Sequence, residues 1–123
     1  RRDLVRHGLP AGFDVVCCSL FLHHLTREEA GEFLTAARDA AGRMVVISDL
    51  VRSRLGSLMA WFGTRLLSRS PVVRFDGPAS VESAFTPDEA AALARETGVE
   101  PVSLRRVFPQ RYLLTWTRSV DDR

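Results

Sequence analysis

The segment Phe13–Ser19 is the feature that most constrains how this chain can fold. It is a nearly unbroken apolar run, rich in β-branched residues, with one charge, Asp14, near its start. A run of this length without polar alternation predicts a strand that is covered on both faces. Such strands are typical of parallel sheets flanked by helices, in which ligands lie beyond the carboxyl ends of the strands. We therefore look for a site first at residues 19–24.

The next stretch predicts a helix followed by a second strand. Thr26 and Glu29 have the spacing of a capping box, and Gly42 is expected to end the helix that this box begins. Residues 43–49 form another short apolar run, which predicts a second buried strand. A strand, a helix and a strand with short connections predict a βαβ unit with a right-handed crossover.

Residues 50–75 differ in character, because they contain five arginines and no acidic residue. Apolar side chains recur there at helical spacing up to Pro71, which predicts one or two amphipathic helices. We favour helices packed on the sheet with solvated arginines. Two alternatives stay open: a lid over an apolar or anionic small molecule, and a membrane-surface helix with Trp61 and Phe62 turned inward.

The last third of the chain predicts a loop, a helix and a hairpin. Residues 76–85 are expected to form the loop, since they contain Gly77 and Pro78. A second capping box at Thr86 begins a helix that Gly98 should close. The strands predicted at 102–108 and 112–116 are separated by only three residues, so they must pair antiparallel.

Composition excludes several classes of function. The chain has 123 residues and a net charge of +2, which gives no reason to expect a nucleic acid as partner. All its basic residues are arginine, so Schiff-base chemistry and the lysine of a P-loop are excluded. Cys17 and Cys18 are adjacent, and we interpret both as reduced core residues of a cytoplasmic protein. No apolar run is long enough for stable insertion into a membrane.

The ordered set of elements resembles the C-terminal half of the class I S-adenosylmethionine-dependent methyltransferases, in their small-molecule branch. The sequences FDVV at 13–16 and SLFLHHL at 19–25 resemble the fourth-strand motif of that family. Residues 43–49 resemble its fifth strand, and residues 102–116 resemble its sixth and seventh strands, the last of which is antiparallel. Asp3-Leu4 resembles the acidic motif that follows the third strand.

The resemblance implies a fold, a reaction and a set of site residues. The implied fold is α/β, the C-terminal half of a Rossmann-like sheet, with parallel strands flanked by helices and closed by an antiparallel hairpin. The implied reaction is methyl transfer from S-adenosylmethionine to a small-molecule acceptor, without a metal. Asp3 and Leu4 would contact the adenine, Ser19 and Leu20 would line the methionine end of the cofactor, and His24 could act as general base.

Two further polar groups and one thiol allow more than one interpretation. Adjacent residues project in different directions, so His23 and His24 make a poor pair of metal ligands. Asp49 ends the second predicted strand, where it could face the ligand crevice or cap the following helix. A nucleophilic Cys18 is disfavoured, because a buried strand cysteine is usually inert.

The chain departs from the family in one respect. The glycine-rich loop and the first three strands of the family have no counterpart here, since no two glycines are separated by one residue. We therefore expect residues 1–118 to be part of a methyltransferase domain, followed by a polar tail at 119–123, and the stretch alone to be inactive. The alternative function is a non-catalytic interaction module that associates, for instance as a homodimer, through an open sheet edge.

Overall fold

Four strands form one mixed sheet in the computed structural model of the protein, which describes residues 8–119. The strands are β1 (Phe13–Ser19), β2 (Ala41–Leu50), β3 (Val102–Val107) and β4 (Arg111–Thr117). Their order across the sheet is β1-β2-β4-β3, with β1 parallel to β2 and with β4 antiparallel to both of its neighbours. The α/β class, the parallel pair and the closing hairpin are therefore confirmed.

Four α-helices and one short 3-10 turn connect and flank the strands. The turn is Leu22–His24, and the helices are α1 (Arg27–Ala40), α2 (Arg54–Leu67), α3 (Pro71–Ser83) and α4 (Pro87–Glu96). Both predicted capping boxes are present, at the starts of α1 and α4. Between residues 8 and 119, no helix combines the length and the apolar character that crossing a lipid bilayer requires.

The hydrophobic core lies on one face of the sheet. From Val45 onward in β2 and along β4 every second side chain is buried, as expected when one face of a sheet is covered more fully than the other. The covering elements are α1 and α4, which bury Leu34 and Leu93 against Ile47 and Leu114. The βαβ crossover places α1 there, because the helix must return across the sheet between two parallel strands.

The strand β1 has the predicted bounds, but its predicted coverage on both faces is wrong for the part of the chain that the structure describes. It lies at the edge of the sheet, and Phe13 and Val15 are exposed. Cys17 is also exposed and Cys18 is half-buried, so the assignment of both cysteines to the core is wrong for Cys17. The apolar run predicts an interior strand, but residues 8–119 supply only one neighbouring strand, β2.

Gly42 does not end the first helix, so that prediction is wrong. Helix α1 ends at Ala40, and the chain enters β2 directly at Ala41. A Cβ atom on Gly42 would lie 3.4 Å from the carbonyl oxygen of Phe13. This is an ordinary van der Waals distance, so Gly42 is a residue of β2 that acts neither as a left-handed helix cap nor at an unusually close contact.

The region after β2 contains two helices, and the predicted loop at 76–85 is wrong. Pro71 occupies the first turn of α3, which continues through Gly77 and Pro78 to Ser83. A Cβ atom on Gly77 would lie 2.5 Å from Cγ2 of Thr64 in α2. Gly77 is thus required by the close contact between the two helices, a reason that the sequence pattern alone does not reveal.

The favoured packing of this region on the sheet is also wrong. Helices α2 and α3 pack against each other, and α3 contacts the 3-10 turn. Within them only Gly56 and Val81 are buried. The predicted apolar residues therefore share a helical face, but that face is exposed: Leu55, Met59, Phe62 and Leu66.

The elements from Thr86 to the end of β4 agree with the prediction from the sequence. Gly98 follows α4 with a φ of 73°, a left-handed conformation that glycine adopts without steric cost. The hairpin connects β3 to β4 through residues 108–110, and β4 lies between β2 and β3.

Candidate functional site

The carboxyl ends of the two parallel strands lie side by side at one edge of the sheet. Ser19 at the end of β1 is paired in register with Ser48 of β2. The turn that follows β1 and the aspartate that follows Ser48 therefore meet at this edge. This is the position at which open α/β sheets bind their ligands. The predicted contact residues Asp3 and Leu4 lie outside the described residues.

Asp49 connects the turn after β1 to the second strand. Its side chain is 1% exposed. The carboxylate accepts hydrogen bonds from the backbone N–H groups of Phe21 and His23, both at 3.2 Å, and from that of Leu50 at 2.7 Å. These bonds compensate for the burial of a charged group. The residue thus fixes the 3-10 turn, whereas α2 is capped by Ser53, so the alternative of Asp49 as a cap for that helix is wrong.

The two histidines of the turn have different surroundings. His23 is 7% exposed, and its Nδ1 lies 2.7 Å from Oδ1 of Asp49. A carboxylate only accepts, so Nδ1 carries the proton, and in the neutral ring Nε2 is the basic nitrogen. His24 is exposed, and its ring centroid lies 4.0 Å from that of His23. The arrangement combines a buried, oriented imidazole with an accessible one.

Ser19 and Leu20 both face outward at this edge. Leu20 is exposed and has a φ of 53°, which is uncommon for a residue with a side chain. Its backbone N–H donates to the carbonyl oxygen of Ser48 at 2.9 Å, which holds this conformation. The structure therefore places the two predicted cofactor contacts together, next to the histidine turn.

Arg111 is a residue of this edge that sequence reasoning missed. Its Nη2 donates to the hydroxyl oxygens of Ser19 and Ser48, each at 3.0 Å. Because β4 runs antiparallel to β2, its first residue lies at the carboxyl end of β2. The predicted antiparallel hairpin could have indicated Arg111 from the sequence, because it brings the start of the last strand to the carboxyl ends of the parallel strands.

Two weak acids near the site stay protonated at neutral pH. Burial raises the pKa of the Cys18 thiol to about 11, with smaller contributions from the charge of Asp49 and from Cys17. Burial also raises the pKa of Tyr112, again with a contribution from Asp49. A protonated thiol is a poor nucleophile, which agrees with the exclusion of Cys18 from covalent chemistry.

A groove of about 840 Å³ lies along α2 beside α3. Its walls combine apolar side chains with two arginines and one acid: Arg52, Ser53, Arg54, Ser57, Leu58, Trp61, Phe62, Pro78 and Glu82. A mainly apolar groove with a few polar groups is typical of small-molecule sites. Within residues 8–119, no group of three or more histidine, cysteine, aspartate or glutamate side chains could hold a metal ion.

The chain is similar in sequence to known methyltransferases, although no family model matches it. It is 35% identical over 120 residues to a ubiquinone biosynthesis O-methyltransferase of Bordetella parapertussis, with 91% of this chain and 47% of that protein covered. A protein of the same description from Bordetella bronchiseptica is 34% identical over the same coverage. The chain thus spans about half the length of the curated relatives that it matches.

Solved structures of methyltransferases share the fold. PigF with SAH superposes with a TM-score of 0.66 at 14% identity, covering 96% of this chain and 38% of that one. The methyltransferase SibL in its apo form superposes with a TM-score of 0.66 at 16% identity, and the match covers 95% of this chain and 34% of SibL. Human N-acetylserotonin methyltransferase in complex with SAM superposes with a TM-score of 0.64 at 11% identity, and the match covers 97% of this chain and 33% of that one.

The sequence similarity extends over nearly the whole chain, and the fold agrees independently. The antiparallel β4 agrees with the reversed last strand that the resemblance of the sequence implies. The chain is therefore similar to O-methyltransferases over most of its length, and it has the fold of the second half of a class I S-adenosylmethionine-dependent methyltransferase sheet.

Proposed function

We propose that the full-length protein transfers a methyl group from S-adenosylmethionine to a hydroxyl oxygen of a small-molecule acceptor. The observation that carries this proposal is the similarity of the chain to two relatives that are named O-methyltransferases. The solved structures with SAH or SAM support the choice of cofactor. The groove along α2 supports an acceptor that is largely apolar, because its walls include Leu58, Trp61 and Phe62.

The residues at the ligand edge suit the proposed cofactor. Ser19 and Leu20 are exposed where strand ends face a ligand, and we propose that they line its methionine end, with Asp3 and Leu4 at the adenine. When bound, S-adenosylmethionine supplies an electrophilic methyl carbon whose bond to sulfur breaks with the electron pair left on sulfur. The protein then has to position the acceptor oxygen in line with that bond.

We propose that an imidazole of the 3-10 turn accepts the proton of the acceptor hydroxyl. His24 is the accessible ring and is our candidate for this base. His23 is the alternative, because Asp49 orients it and leaves Nε2 as the basic nitrogen. In either case the new oxygen–carbon bond forms while the hydroxyl proton moves to the imidazole.

The matched variants His24→Gln and His23→Gln separate the two candidates. The assay follows transfer of labelled methyl groups from S-adenosylmethionine to a panel of phenols and alcohols by the full-length protein. If His24 is the base, its variant should lose about a hundredfold in kcat/KM, and the pH dependence of kcat/KM should lose its acidic limb. SAH affinity, measured by calorimetry, should stay unchanged. A loss confined to His23→Gln would contradict the assignment to His24.

Calorimetry also tests the proposed cofactor and the expected inactivity of this stretch alone. The full-length protein should bind SAH, and the isolated 123-residue chain should bind it far more weakly, because the family's glycine-rich loop has no counterpart in this sequence. Absence of SAH binding to the full-length protein would contradict the proposed function. Equal SAH binding to the full-length protein and to the isolated chain would contradict only the expectation that the isolated chain is inactive.

A second candidate function is a non-catalytic module that associates through β1. The observation in its favour is that, among the described strands, β1 pairs only with β2 and exposes Phe13 and Val15. Two such edges could pair in a homodimer. Light scattering of the full-length protein and of Val15→Lys tests this, since a charge on the edge should dissociate such a dimer. A monomer in both cases would exclude it.

We further propose the extent and the location of the domain. Residues 1–118 would form the partial methyltransferase domain and residues 119–123 a polar tail. Two adjacent free cysteines, one of them exposed, support a reducing compartment, and we propose the cytoplasm.

A further inference from the structure

The hairpin formed by α2 and α3 ends in a tip with a large exposed apolar surface. We define the hairpin tip as residues 65–75. Leu66 and Leu67 are each 86% exposed, and Phe75 is 75% exposed. Val72 and Val73 are exposed beside them. Single exposed apolar residues are ordinary, but five within eleven residues form a contiguous segment that indicates an interaction surface.

The same tip is positively charged. Arg65, Arg69 and Arg74 lie within it, and residues 50–75 contain no acidic residue. Arg65 stacks on the ring of Trp61, with its guanidinium carbon 4.0 Å from the ring centroid. Arg74 of α3 donates to the carbonyl oxygen of Ser68 at 2.9 Å and so links α3 to the residue that follows α2. Among residues 8–119 no ion pair joins any of the three arginines to a carboxylate.

We propose that the hairpin tip docks the protein onto an anionic phospholipid surface. The leucines and Phe75 would enter the boundary between headgroups and acyl chains, and the guanidinium groups would bind lipid phosphates. Guanidinium matches phosphate oxygens in two-point hydrogen bonds, and its apolar stem can lie along a hydrophobic surface. Combined apolar and cationic groups without acids are typical of helices that lie on membranes rather than cross them.

A second copy of the chain fits this surface less well than a lipid does. Symmetric pairing of two tips would bury the apolar side chains, but it would also bring two sets of arginines together. The charges would then repel across the interface, because each copy brings three arginines and only one acid near the tip, the exposed Asp76 that follows it. An anionic bilayer covers the same leucines while it neutralises the arginines.

Co-sedimentation of the full-length protein with vesicles tests the proposal. One set of vesicles contains phosphatidylcholine alone, and the other contains about one third phosphatidylglycerol. We expect at least tenfold tighter binding to the anionic set at low salt, since each arginine near a charged surface contributes to the affinity. Added salt should reduce that preference.

Two variants separate the apolar from the electrostatic contribution. Leu66→Ser with Leu67→Ser should weaken binding to anionic vesicles about tenfold, because it removes the inserted side chains. Arg65→Gln with Arg69→Gln should abolish the preference for the anionic set. The matched control is Arg43→Gln with Arg95→Gln, which removes two exposed arginines outside the hairpin and should keep more of the preference. Circular dichroism checks that every variant is folded.

The outcomes discriminate between the occupants of the tip. Equal binding to both vesicle sets, or binding that neither tip variant weakens, would overturn the proposal. A dimer seen in light scattering that the two leucine substitutions dissociate would also overturn the proposal, because the tip would then be a contact between two copies of the protein. A complex with another protein that is lost in the leucine variant, without vesicle binding, would overturn it as well. The readout is binding, so failure here leaves the proposed methyl transfer untouched.

Discussion

Two pairs of helices in this protein have different surroundings, although α2 in the second pair has an apolar pattern like that of α1 in the first. Helices α1 and α4 bury their apolar faces, and Leu34 of α1 is only 1% exposed. Helix α2 carries a comparable apolar stripe that is exposed, with Leu66 as its extreme case, and α3 packs beside it. Helical spacing therefore identifies which residues share a face, but the neighbouring elements decide whether that face is covered.

The connections explain the difference. Helix α1 joins two parallel strands, and α4 precedes the hairpin, so both must lie against the sheet. Helices α2 and α3 follow the end of β2 and pack mainly on each other, which leaves their remaining surface free within the described residues. The first pair therefore contributes to the core, and the second pair follows the carboxyl end of β2 and lies outside the core.

The largest difference in the free energy of unfolding is expected between the truncation of a buried leucine in the first helix pair and of an exposed leucine in the second. Leu34→Ala should lower the free energy of unfolding of the full-length protein by about 3 kcal/mol, because it leaves a cavity in a packed core. Leu66→Ala should change it by less than about 0.5 kcal/mol, since the side chain is already in water. Urea unfolding measures both. A large loss for Leu66→Ala would show that another part of the protein covers the hairpin tip.

A smaller effect is expected at the helix starts. The Thr26 side chain accepts a hydrogen bond from the backbone of Glu29, whereas Ser70 makes no side-chain cap bond to α3. Thr26→Ala should therefore cost about 1 kcal/mol in urea unfolding, and Ser70→Ala should cost much less. Equal losses would mean that the starts of α1 and α3 are stabilised alike.

The smallest effect is expected from pH at the start of α4. The backbone N–H of Thr86 holds the pKa of Glu89 below its usual value; partial burial opposes this, and the nearby Arg52 adds to it. A lowered pKa in the folded state stabilises the protein above the unfolded pKa, and this contribution is lost as pH falls through the folded pKa. Because the carboxylate is exposed, Glu89→Gln should cost under about 0.5 kcal/mol near neutral pH.

Urea unfolding at several pH values measures this contribution. The difference between the protein and Glu89→Gln should shrink as Glu89 itself becomes protonated at acid pH. Asp88→Asn is the matched control, because it removes a neighbouring charge outside the capping box. A difference between the protein and Glu89→Gln that grows toward acid pH would contradict the direction of the pKa shift.

The candidate site was predictable in part. The end of the apolar run indicated the edge at which the structure brings Ser19, Asp49 and the histidine turn together, because ligand sites lie at the carboxyl ends of parallel strands. The sequence could not show that Asp49 binds the His23 ring and two backbone N–H groups, since 26 positions separate Asp49 from His23. The contact of Arg111 with Ser19 joins positions 92 apart, so it also depends on how the strands assemble.

The sequence by itself determined the strands, the two capping boxes, the hairpin and the family resemblance, because these follow from local patterns of side chains and of backbone conformation. Only the tertiary structure decided that Gly77 lies at a helix contact, that Phe13 and Val15 of β1 are exposed among the described residues and that the stripe on α2 faces outward. Coverage of a surface is a property of pairs of distant segments. Local spacing predicts the faces that can be buried, and packing selects those that are.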